Sequence, residues 1–287
     1  MFEVYRGQRL ERGEPIPAAH RTFDDCMLEI DFAEFSDVGR VRLGNEDYIG
    51  HVAPDTTEQA RSHGWLFVLA DGVGGHEKGE VASRTAVETV LEGFREAPRA
   101  QPLNGLLQNL VRRANTRVLE AGMSSGMATT LVACALRYDR AVIAHVGDSR
   151  CYLIRERAAT VLTRDHTVAS DHARLGLLSA EDMAESETRH ILSRSLGIEL
   201  SVSVETSDHQ VLPGDILVLC SDGVHGALSS SDIAAIVNET ANVELAARKL
   251  VMLANEKDGS DNVTAQVVRV QNVERVGMYR GRPYKLR

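Results

Sequence analysis

Five aspartates in this chain share one sequence context. Each lies beside a glycine or an asparagine at the edge of an apolar, strand-like run: Asp47, Asp71, Asp148, Asp222 and Asp261. A strand-rich core could gather such edges at one end. Carboxylates brought together repel one another, so divalent cations are the economical way to keep them ionised at neutral pH. Oxygen ligands with no paired Cys or His favour Mg²⁺ or Mn²⁺ over zinc.

Asp71 has the clearest surroundings of the five. It follows six apolar residues, 65–70, which are bounded by Gly64 and Gly72 and predict a buried strand rather than a helix. A carboxylate there needs hydrogen bonds or a metal, and the glycines after it allow a ligand to approach the backbone closely. The loop lacks the Lys-Ser/Thr of a nucleotide-binding P-loop. Taken alone, the motif is also compatible with an ordinary structural turn.

The chemistry open to such a cluster is phosphoryl transfer. Two divalent cations about 4 Å apart can activate a bridging water and stabilise a phosphoryl group during in-line displacement. Arg42 precedes Asp47 by five residues and offers a planar fork for phosphate oxygens. Without the other motifs, residues 41–47 would be interpreted as a solvated turn between two strands.

The hydrophobic pattern predicts the elements that must position these residues. Strands are predicted at 28–32, 129–136, 141–146, 151–154 and 216–220. Helices are predicted at about 80–95, from Leu103 to Val118, after the capping residues Ser229 and Asp232, and at about 243–256. Because 147–150 lies between two predicted strands, we expect it to be a turn joining antiparallel partners.

Residues 168–195 form the least regular segment. Acidic residues and histidines are scattered there among short apolar patches, which predicts an exposed sub-structure of short helices. Such an insert beside a site is a candidate lid or substrate-contact element. Its own acidic and histidine side chains are expected to be solvated rather than ligating.

Bulk properties narrow the class of protein. The 287 residues carry a formal net charge of -9, which argues against a general nucleic-acid binder. No apolar run approaches the roughly 20 residues that span a bilayer, and no signal peptide is evident, so we expect a cytoplasmic protein without membrane or nucleic-acid partners. Three of the four cysteines, Cys134, Cys151 and Cys220, lie in apolar runs and are expected to be buried.

Taken together, the motifs resemble those of the metal-dependent Ser/Thr protein phosphatases of the PPM, or type-2C, family in their bacterial form. The resemblance runs from about residue 35 to 264, in the order of the family. It rests on Arg42 with Asn45-Glu46-Asp47, Asp71-Gly72-Val73-Gly74-Gly75-His76, Met127-Ala128-Thr129-Thr130, Gly147-Asp148-Ser149-Arg150, Asp165-His166-Thr167, Ser221-Asp222-Gly223 and Gly259-Ser260-Asp261-Asn262-Val263-Thr264. Each motif is weak alone, whereas seven in register are specific.

This resemblance implies an α+β fold, a four-layer αββα sandwich of two mainly antiparallel sheets flanked by helices. It implies a phosphatase domain at 28–272, with a flap at about 168–195, an N-terminal extension at 1–27 and a basic C-terminal tail at 273–287. It also implies hydrolysis of phosphoserine and phosphothreonine in proteins by a metal-activated bridging water. A Ser/Thr kinase would be the opposing partner, and the chain would be a monomer.

The resemblance also implies roles for site residues. Asp71 would bridge two Mn²⁺ or Mg²⁺ ions, the carbonyl of Gly72 and, less directly, Glu46 would complete one of them, and Asp47, Asp222 and Asp261 would hold the pair. Asp148 with Asp222 would hold a third, weaker ion. Arg42 would bind the phosphate.

One departure concerns the general acid. Animal members place a histidine directly after the Asp-Gly pair, whereas Val73 stands there in this chain, so His76 is not assigned that role. His166 is likewise expected to be structural. Two other functions remain open: a catalytically silent sensor or scaffold on the same fold, and a hydrolase of small phosphorylated metabolites that differs only in the flap.

Overall fold

The computed structural model describes residues 19–20, 28–73, 77–122, 126–273, 276–279 and 282–285. Its strands are β1 (Ala19–His20), β2 (Leu28–Asp37), β3 (Asp47–Val52), β4 (Trp65–Val73), β5 (Ala128–Thr129), β6 (Leu131–Arg137), β7 (Arg140–Val146), β8 (Arg150–Arg155), β9 (Ala158–Val161), β10 (Glu205–Gln210), β11 (Ile216–Cys220), β12 (Val263–Val273), β13 (Val276–Tyr279) and β14 (Arg282–Lys285). Its helices are α1 (Thr57–Ser62), α2 (Glu77–Glu96), α3 (Leu103–Ala121), α4 (Val168–Arg174), α5 (Ala180–Glu185), α6 (Asp222–His225), α7 (Ser230–Glu239) and α8 (Val243–Lys257), with a 3-10 helix at Glu187–His190.

Two sheets form the centre of the fold. The first sheet has the strand order β1-β2-β12-β11-β8-β9, and the second has the order β10-β7-β6-β4-β3, with β5 pairing to β4. Every pairing within the two sheets is antiparallel. The prediction of two mainly antiparallel sheets is therefore confirmed.

Strand β4 shows why the sheets are buried on both faces. Successive side chains of a strand point to opposite faces. Trp65, Phe67 and Leu69 pack in the layer between the two sheets, whereas Leu66 and Val68 pack against helices on the outer face. A continuous apolar run is what such a doubly covered strand requires, and this explains the run that the sequence shows at 65–70.

Helices cover the outer faces. The apolar stripe of α2, with Val87, Val90 and Phe94 fully buried, packs with α3 on the second sheet. Helices α7 and α8 cover the first sheet through residues such as Ile233 and Leu250. The capping box predicted at Ser229 and Asp232 is present at the start of α7. The four layers are helices, sheet, sheet and helices.

One prediction about connectivity was wrong. Residues 147–150 do not join antiparallel partners, because β7 belongs to the second sheet and β8 to the first. Strand β8 pairs with β11, where Cys151 lies opposite Leu219. Gly147 has φ +103, a left-handed conformation that favours glycine and lets the chain cross between sheets. The crossing places Asp148 at the junction of the two sheets.

Other predictions are answered by the described residues. Cys134, Cys151 and Cys220 are free and buried, as expected, and 168–195 contains the expected short helices. Cys26 and His76 lie outside the described residues. Within the predicted tail, β13 and β14 pair as a two-stranded sheet. In the part of the chain that the structure describes, no helix is both long and apolar enough to span a membrane.

Candidate active site

The two carboxylates of the second sheet meet because of strand direction. Strand β3 begins at Asp47 and β4 ends just beyond Asp71, and antiparallel neighbours bring the start of one strand to the end of the other. Asp47 and Asp71 are direct partners in the ladder. Thr130 fixes Asp71, since its Oγ1 accepts from the Asp71 amide at 3.0 Å and its own amide donates to the Asp71 carbonyl at 2.9 Å.

The first sheet contributes two more carboxylates at the same end. Asp222 follows β11, and Asp261 comes just before β12, which is the antiparallel partner of β11. Ser221 joins the sheets: its hydroxyl donates to Asp47 Oδ2 at 2.8 Å and accepts from the Thr264 amide at 3.1 Å. The fifth aspartate, Asp148, lies in the crossing turn, and its carbonyl is 3.0 Å from His225 Nε2.

These residues surround a cleft of about 790 Å³. Of the site residues predicted from sequence, Arg42, Glu46, Asp71, Gly72, Asp148, Asp222 and Asp261 line it. Asp47 is 7 % exposed and accepts a hydrogen bond from Ser221, the residue that precedes Asp222. The structure therefore brings all the predicted residues to one end of the sandwich.

Burial and mutual repulsion raise the pKa of the clustered carboxyl groups. Loss of solvation, with Asp222 and Asp261 nearby, raises the pKa of Asp47 to about 7, against the lowering effect of its hydroxyl partners Thr264 and Ser221. Loss of solvation and Asp222 likewise raise the pKa of Asp148 to about 7.

The same causes act at the centre of the cleft. The pKa of Asp71 lies well above its ordinary value because of desolvation and then the neighbouring aspartates. The pKa of Asp222 is raised by desolvation and by Asp261. Such a cluster is unfavourable in its ionised form unless positive charge enters it.

Two observations test whether the residues fit divalent cations. Asp47 Oδ1 and Asp222 Oδ1 are buried and have no hydrogen-bond partner among the described residues, which is costly unless a cation binds them. Backbone also approaches closely: a Cβ at Gly72 would lie 2.2 Å from the Gly79 carbonyl oxygen, and one at Gly79 would lie 2.3 Å from Glu46 Oε2. Oxygen donors packed in this way suit Mg²⁺ or Mn²⁺.

Arg42 lies at the rim of the cleft and is paired. Its Nη2 donates to Asp261 Oδ2 at 2.7 Å, and this hydrogen bond is the main cause of its raised pKa. The two side chains are 47 % and 33 % exposed. Ion pairs this exposed contribute little stability, so breaking the Arg42–Asp261 pair costs little.

Asn262 supports the loop that carries Arg42, a role that the sequence reasoning did not assign. Its Oδ1 accepts from the Glu46 amide at 2.8 Å, and its Nδ2 donates to the carbonyls of Val38 and Gly44, each at 2.9 Å. The signal available was its position directly after Asp261.

The segment predicted as a flap reaches the cleft. Arg189, His190, Leu192 and Ser195 line it, as does Ile198 just beyond. Arg189 Nε donates to His190 Nε2 at 2.7 Å. His190 was expected only to be solvated, and the other four were not singled out from sequence, because nothing in their spacing separates them from the rest of the segment.

Comparisons with known proteins find similarity to protein phosphatases. The family model described as protein phosphatase 2C matches residues 45–257. The serine/threonine phosphatase stp of Listeria monocytogenes serotype 4b is 34% identical over 244 residues, which are 82% of this chain and 94% of that protein.

Two solved structures are similar in fold. The serine/threonine phosphatase of S. agalactiae has a TM-score of 0.76 at 30% identity, over 84% of this chain and 100% of that one. The catalytic domain of the serine threonine protein phosphatase PstP, in complex with 2 manganese ions, has a TM-score of 0.72 at 30% identity, over 85% and 99% of the two chains.

Proposed function

This chain belongs to the protein phosphatase 2C family, and from that premise we propose how its own residues perform the reaction. The enzyme is a metal-dependent protein serine/threonine phosphatase of the bacterial type. Its substrates are phosphorylated proteins.

The proposed cation ligands are the clustered oxygens. Asp71, Asp47, Asp222, Asp261 and the Gly72 carbonyl would hold two Mn²⁺ or Mg²⁺ ions, with Glu46 acting less directly, and Asp148 with Asp222 would hold a third. The observation that carries this assignment is the pair of buried, unpartnered oxygens, Asp47 Oδ1 and Asp222 Oδ1. A pair of divalent cations supplies an activated water and neutralises charge on the phosphoryl group.

Other side chains of the protein bind the substrate and hold the proposed ligands in position. Arg42 leaves Asp261 and holds the phosphate oxygens through its planar fork. The flap side of the cleft, with Arg189 and Leu192, borders the space where the polypeptide on either side of the phosphorylated residue must lie. Asn262 and Thr130 keep the Arg42 loop and Asp71 in place.

We propose that a Ser/Thr protein kinase adds the phosphates that this enzyme removes. The support is chemical: phosphoserine and phosphothreonine in proteins arise from such kinases, and the family relatives act as Ser/Thr phosphatases.

Phosphate release from matched peptides tests the function. Peptides carrying phosphothreonine, phosphoserine or phosphotyrosine are incubated with Mn²⁺, with Mg²⁺ or with EDTA. Release from the first two in the presence of metal and none in EDTA is expected, because water is a poor nucleophile at pH 7 until a cation lowers its pKa. Full activity in excess EDTA would refute the metal mechanism, and turnover of small phosphate esters alone would refute protein substrates.

A further inference from the structure

Three ionisable side chains meet at the base of the flap, apart from the carboxylate cluster. They are His145 on β7, His166 and Glu205 on β10, and their potential ligand atoms lie within 4.8 Å of one another. Their hydrogen bonds argue against a metal. Glu205 Oε2 already accepts from Arg164 Nη2 at 2.9 Å. The two imidazoles stack with centroids 4.9 Å apart and planes at 16°, so their in-plane lone pairs run nearly parallel and do not converge on one point.

The hydrogen bonds of His166 instead lead to the turn that carries Asp148. The His166 amide donates to the Gly147 carbonyl at 2.9 Å, and the Gly147 amide donates back to His166 Nδ1 at 3.1 Å. With Nδ1 as acceptor, the hydrogen of the neutral ring is on Nε2, which lies 3.2 Å from Glu205 Oε2 and donates to it. The ring is fully buried, and burial lowers its pKa to about 4, which keeps it neutral.

The same residue is also bonded to the flap. The His166 carbonyl accepts from the Ser193 amide at 2.9 Å, where the flap returns to the core. Two residues on, the Val168 amide donates to the Ile191 carbonyl at 2.9 Å. His166 therefore lies between the returning end of the flap and the crossing turn at 147–150.

The preceding residue strengthens this attachment. Asp165 accepts two hydrogen bonds from Arg150, at 2.9 Å from Nε and 2.6 Å from Nη2. Asp165 and His166 thus hold the two ends of the turn in which Asp148 lies. Gly147 adopts φ +103 there, and glycine has more conformational freedom than other residues, so the position of Asp148 depends on such restraints.

We propose that His166 is a positioning residue, which fastens the Gly147–Asp148 turn to the base of the flap and thereby sets where the Asp148 carboxylate stands relative to Asp222. The inference rests on the proposed cation role of Asp148. It predicts that the acceptor at Nδ1, rather than the donor at Nε2, determines cation binding by Asp148.

Two substitutions of His166 distinguish the role of Nδ1 from that of Nε2. Asn at 166 keeps an acceptor near the Nδ1 position and loses the reach to Glu205, whereas Gln keeps a donor near Nε2 and loses the acceptor for Gly147. Mn²⁺ binding is measured by calorimetry without substrate, and the Mn²⁺ concentration for half-maximal activity is measured with a phosphopeptide. His166→Gln should weaken Mn²⁺ binding about tenfold, as expected for a residue that orients a ligand, and His166→Asn should stay within about threefold.

A second comparison tests the route through Asp148. In an Asp148→Asn background, His166→Gln should cause no further weakening, because the carboxylate that it positions is gone. If His166→Gln does not fold, His166→Leu replaces it, because leucine also lacks an acceptor for the Gly147 amide. Glu205→Ala, at a side chain that is 38 % exposed on an edge strand, removes only the partner of Nε2 and should leave Mn²⁺ binding within about threefold. Asp208→Ala is the matched control, a carboxylate of the same strand that pairs with Arg140 and is 43 % exposed.

The outcomes are distinct. Weaker Mn²⁺ binding by His166→Gln but not by His166→Asn, lost in the Asp148→Asn background, supports the inference, as does Mn²⁺ binding by Glu205→Ala that stays as close to wild type as that of Asp208→Ala. Equal Mn²⁺ affinities in the His166→Gln and His166→Asn variants, an unchanged shift without Asp148, or a Glu205→Ala shift as large as that of His166→Gln overturns it. A wild-type protein without Mn²⁺-dependent phosphatase activity would refute the proposed function instead, and calorimetry would still report on His166.

Discussion

Among the residues of the site, Asp71 has four other aspartates close enough to raise its pKa. Its main chain is held by Thr129 and Thr130, with Thr129 Oγ1 donating to its carbonyl at 2.8 Å. Its carboxylate is fixed opposite Asp47, and its pKa is raised well above the ordinary value by desolvation and then by four other aspartates. Because the main chain is held in place, the Asp71 carboxylate cannot move away from the other aspartates. Binding of a cation would therefore stabilise its ionised form.

Replacing Asp71 with Asn removes the charge and keeps nearly the same volume. We expect kcat/KM for a phosphopeptide to fall at least about 100-fold, because loss of a ligand should exceed the effect of losing a residue that only orients one. In EDTA the melting temperature should equal or exceed that of the wild type, since one repelling carboxylate is gone. Wild-type rates from this variant would place the reaction elsewhere.

Arg42→Ala tests the proposed phosphate contact. The expected result is a rise in KM of about tenfold, equivalent to ~1.4 kcal/mol, with a smaller loss in kcat, because the cation ligands remain. Arg40→Ala is the control, since Arg40 is exposed in the same loop. Equal losses in kcat and kcat/KM would place the contact in the transition state, and unchanged kinetics would rule it out.

Among the elements, the short helices of the flap differ in their position relative to the cleft. Helix α5 and the 3-10 helix have no buried side chains among those described. The exposed residues Glu181 and Asp182 lie on α5, whereas Arg189 and His190 on the 3-10 helix line the cleft. Effects of the flap on substrates should therefore arise at the 3-10 helix rather than at α5.

Arg189→Ala should distinguish protein substrates from small ones. We expect kcat/KM for a phosphopeptide to fall about tenfold, while hydrolysis of para-nitrophenyl phosphate stays within about threefold, because only the peptide extends along the flap side of the cleft. Arg174→Ala is the matched control, an arginine of the same flap on α4 that is 57 % exposed. Parallel losses with both substrates would mean that the flap supports the cation ligands instead.

At the scale of the molecule, the site exists because two sheets end together. Asp47 and Asp71 come from one sheet, Asp222 and Asp261 from the ends of strands in the other, and Asp148 from the turn between them. Two hydrogen bonds connect the residues at the ends of the two sheets: the Ser221 hydroxyl donates to Asp47, and the Asn262 side chain accepts from the Glu46 amide. Packing of the sheets is therefore opposed by repulsion at this end, and cation binding should stabilise the whole fold.

The pH dependence of the metal-free protein should report this repulsion. The pKa of Asp148 is about 7 when folded, whereas an unfolded aspartate titrates near 4. Between these values the folded state binds more protons, so this group makes stability fall as pH rises and adds no further change above about pH 7. The buried His166 and the partly buried His225, each with a pKa lowered to about 4, act in the opposite direction below about pH 6.5.

Because of these opposing groups, the comparison is made with Asp148→Asn. In EDTA, the melting temperature of the wild type minus that of the variant should fall by several degrees between about pH 5 and 7.5. Glu239→Gln, at an exposed glutamate of α7, is the control for loss of a carboxylate outside the cleft. With excess Mn²⁺ the trend should reverse, since cations bind the ionised carboxylate. A flat difference for Asp148→Asn in EDTA would contradict the raised pKa.

The sequence by itself determined which side chains could do chemistry and which elements carry them. Strand-edge aspartates, glycine turns and helical periodicity are local signals. They predict strands, turns and helices because these elements depend on backbone geometry over a few neighbouring residues. Strand β4 illustrates this, since its apolar run and Asp71 occur next to each other in the chain and in the fold. Helix α7 does so as well, because its capping box at Ser229 lies within one turn.

Tertiary structure decided what lies far apart in sequence. Residues 147–150 look like a hairpin turn locally, yet β8 pairs with β11, some seventy residues later, and no local pattern specifies which strand a distant strand will join. The contacts of Arg189 with the cleft and of His166 with Gly147 have the same origin. Both contacts depend on packing between segments that are far apart in the chain. Neither segment's sequence specifies which other segment it will pack against, so only the folded structure shows the contact.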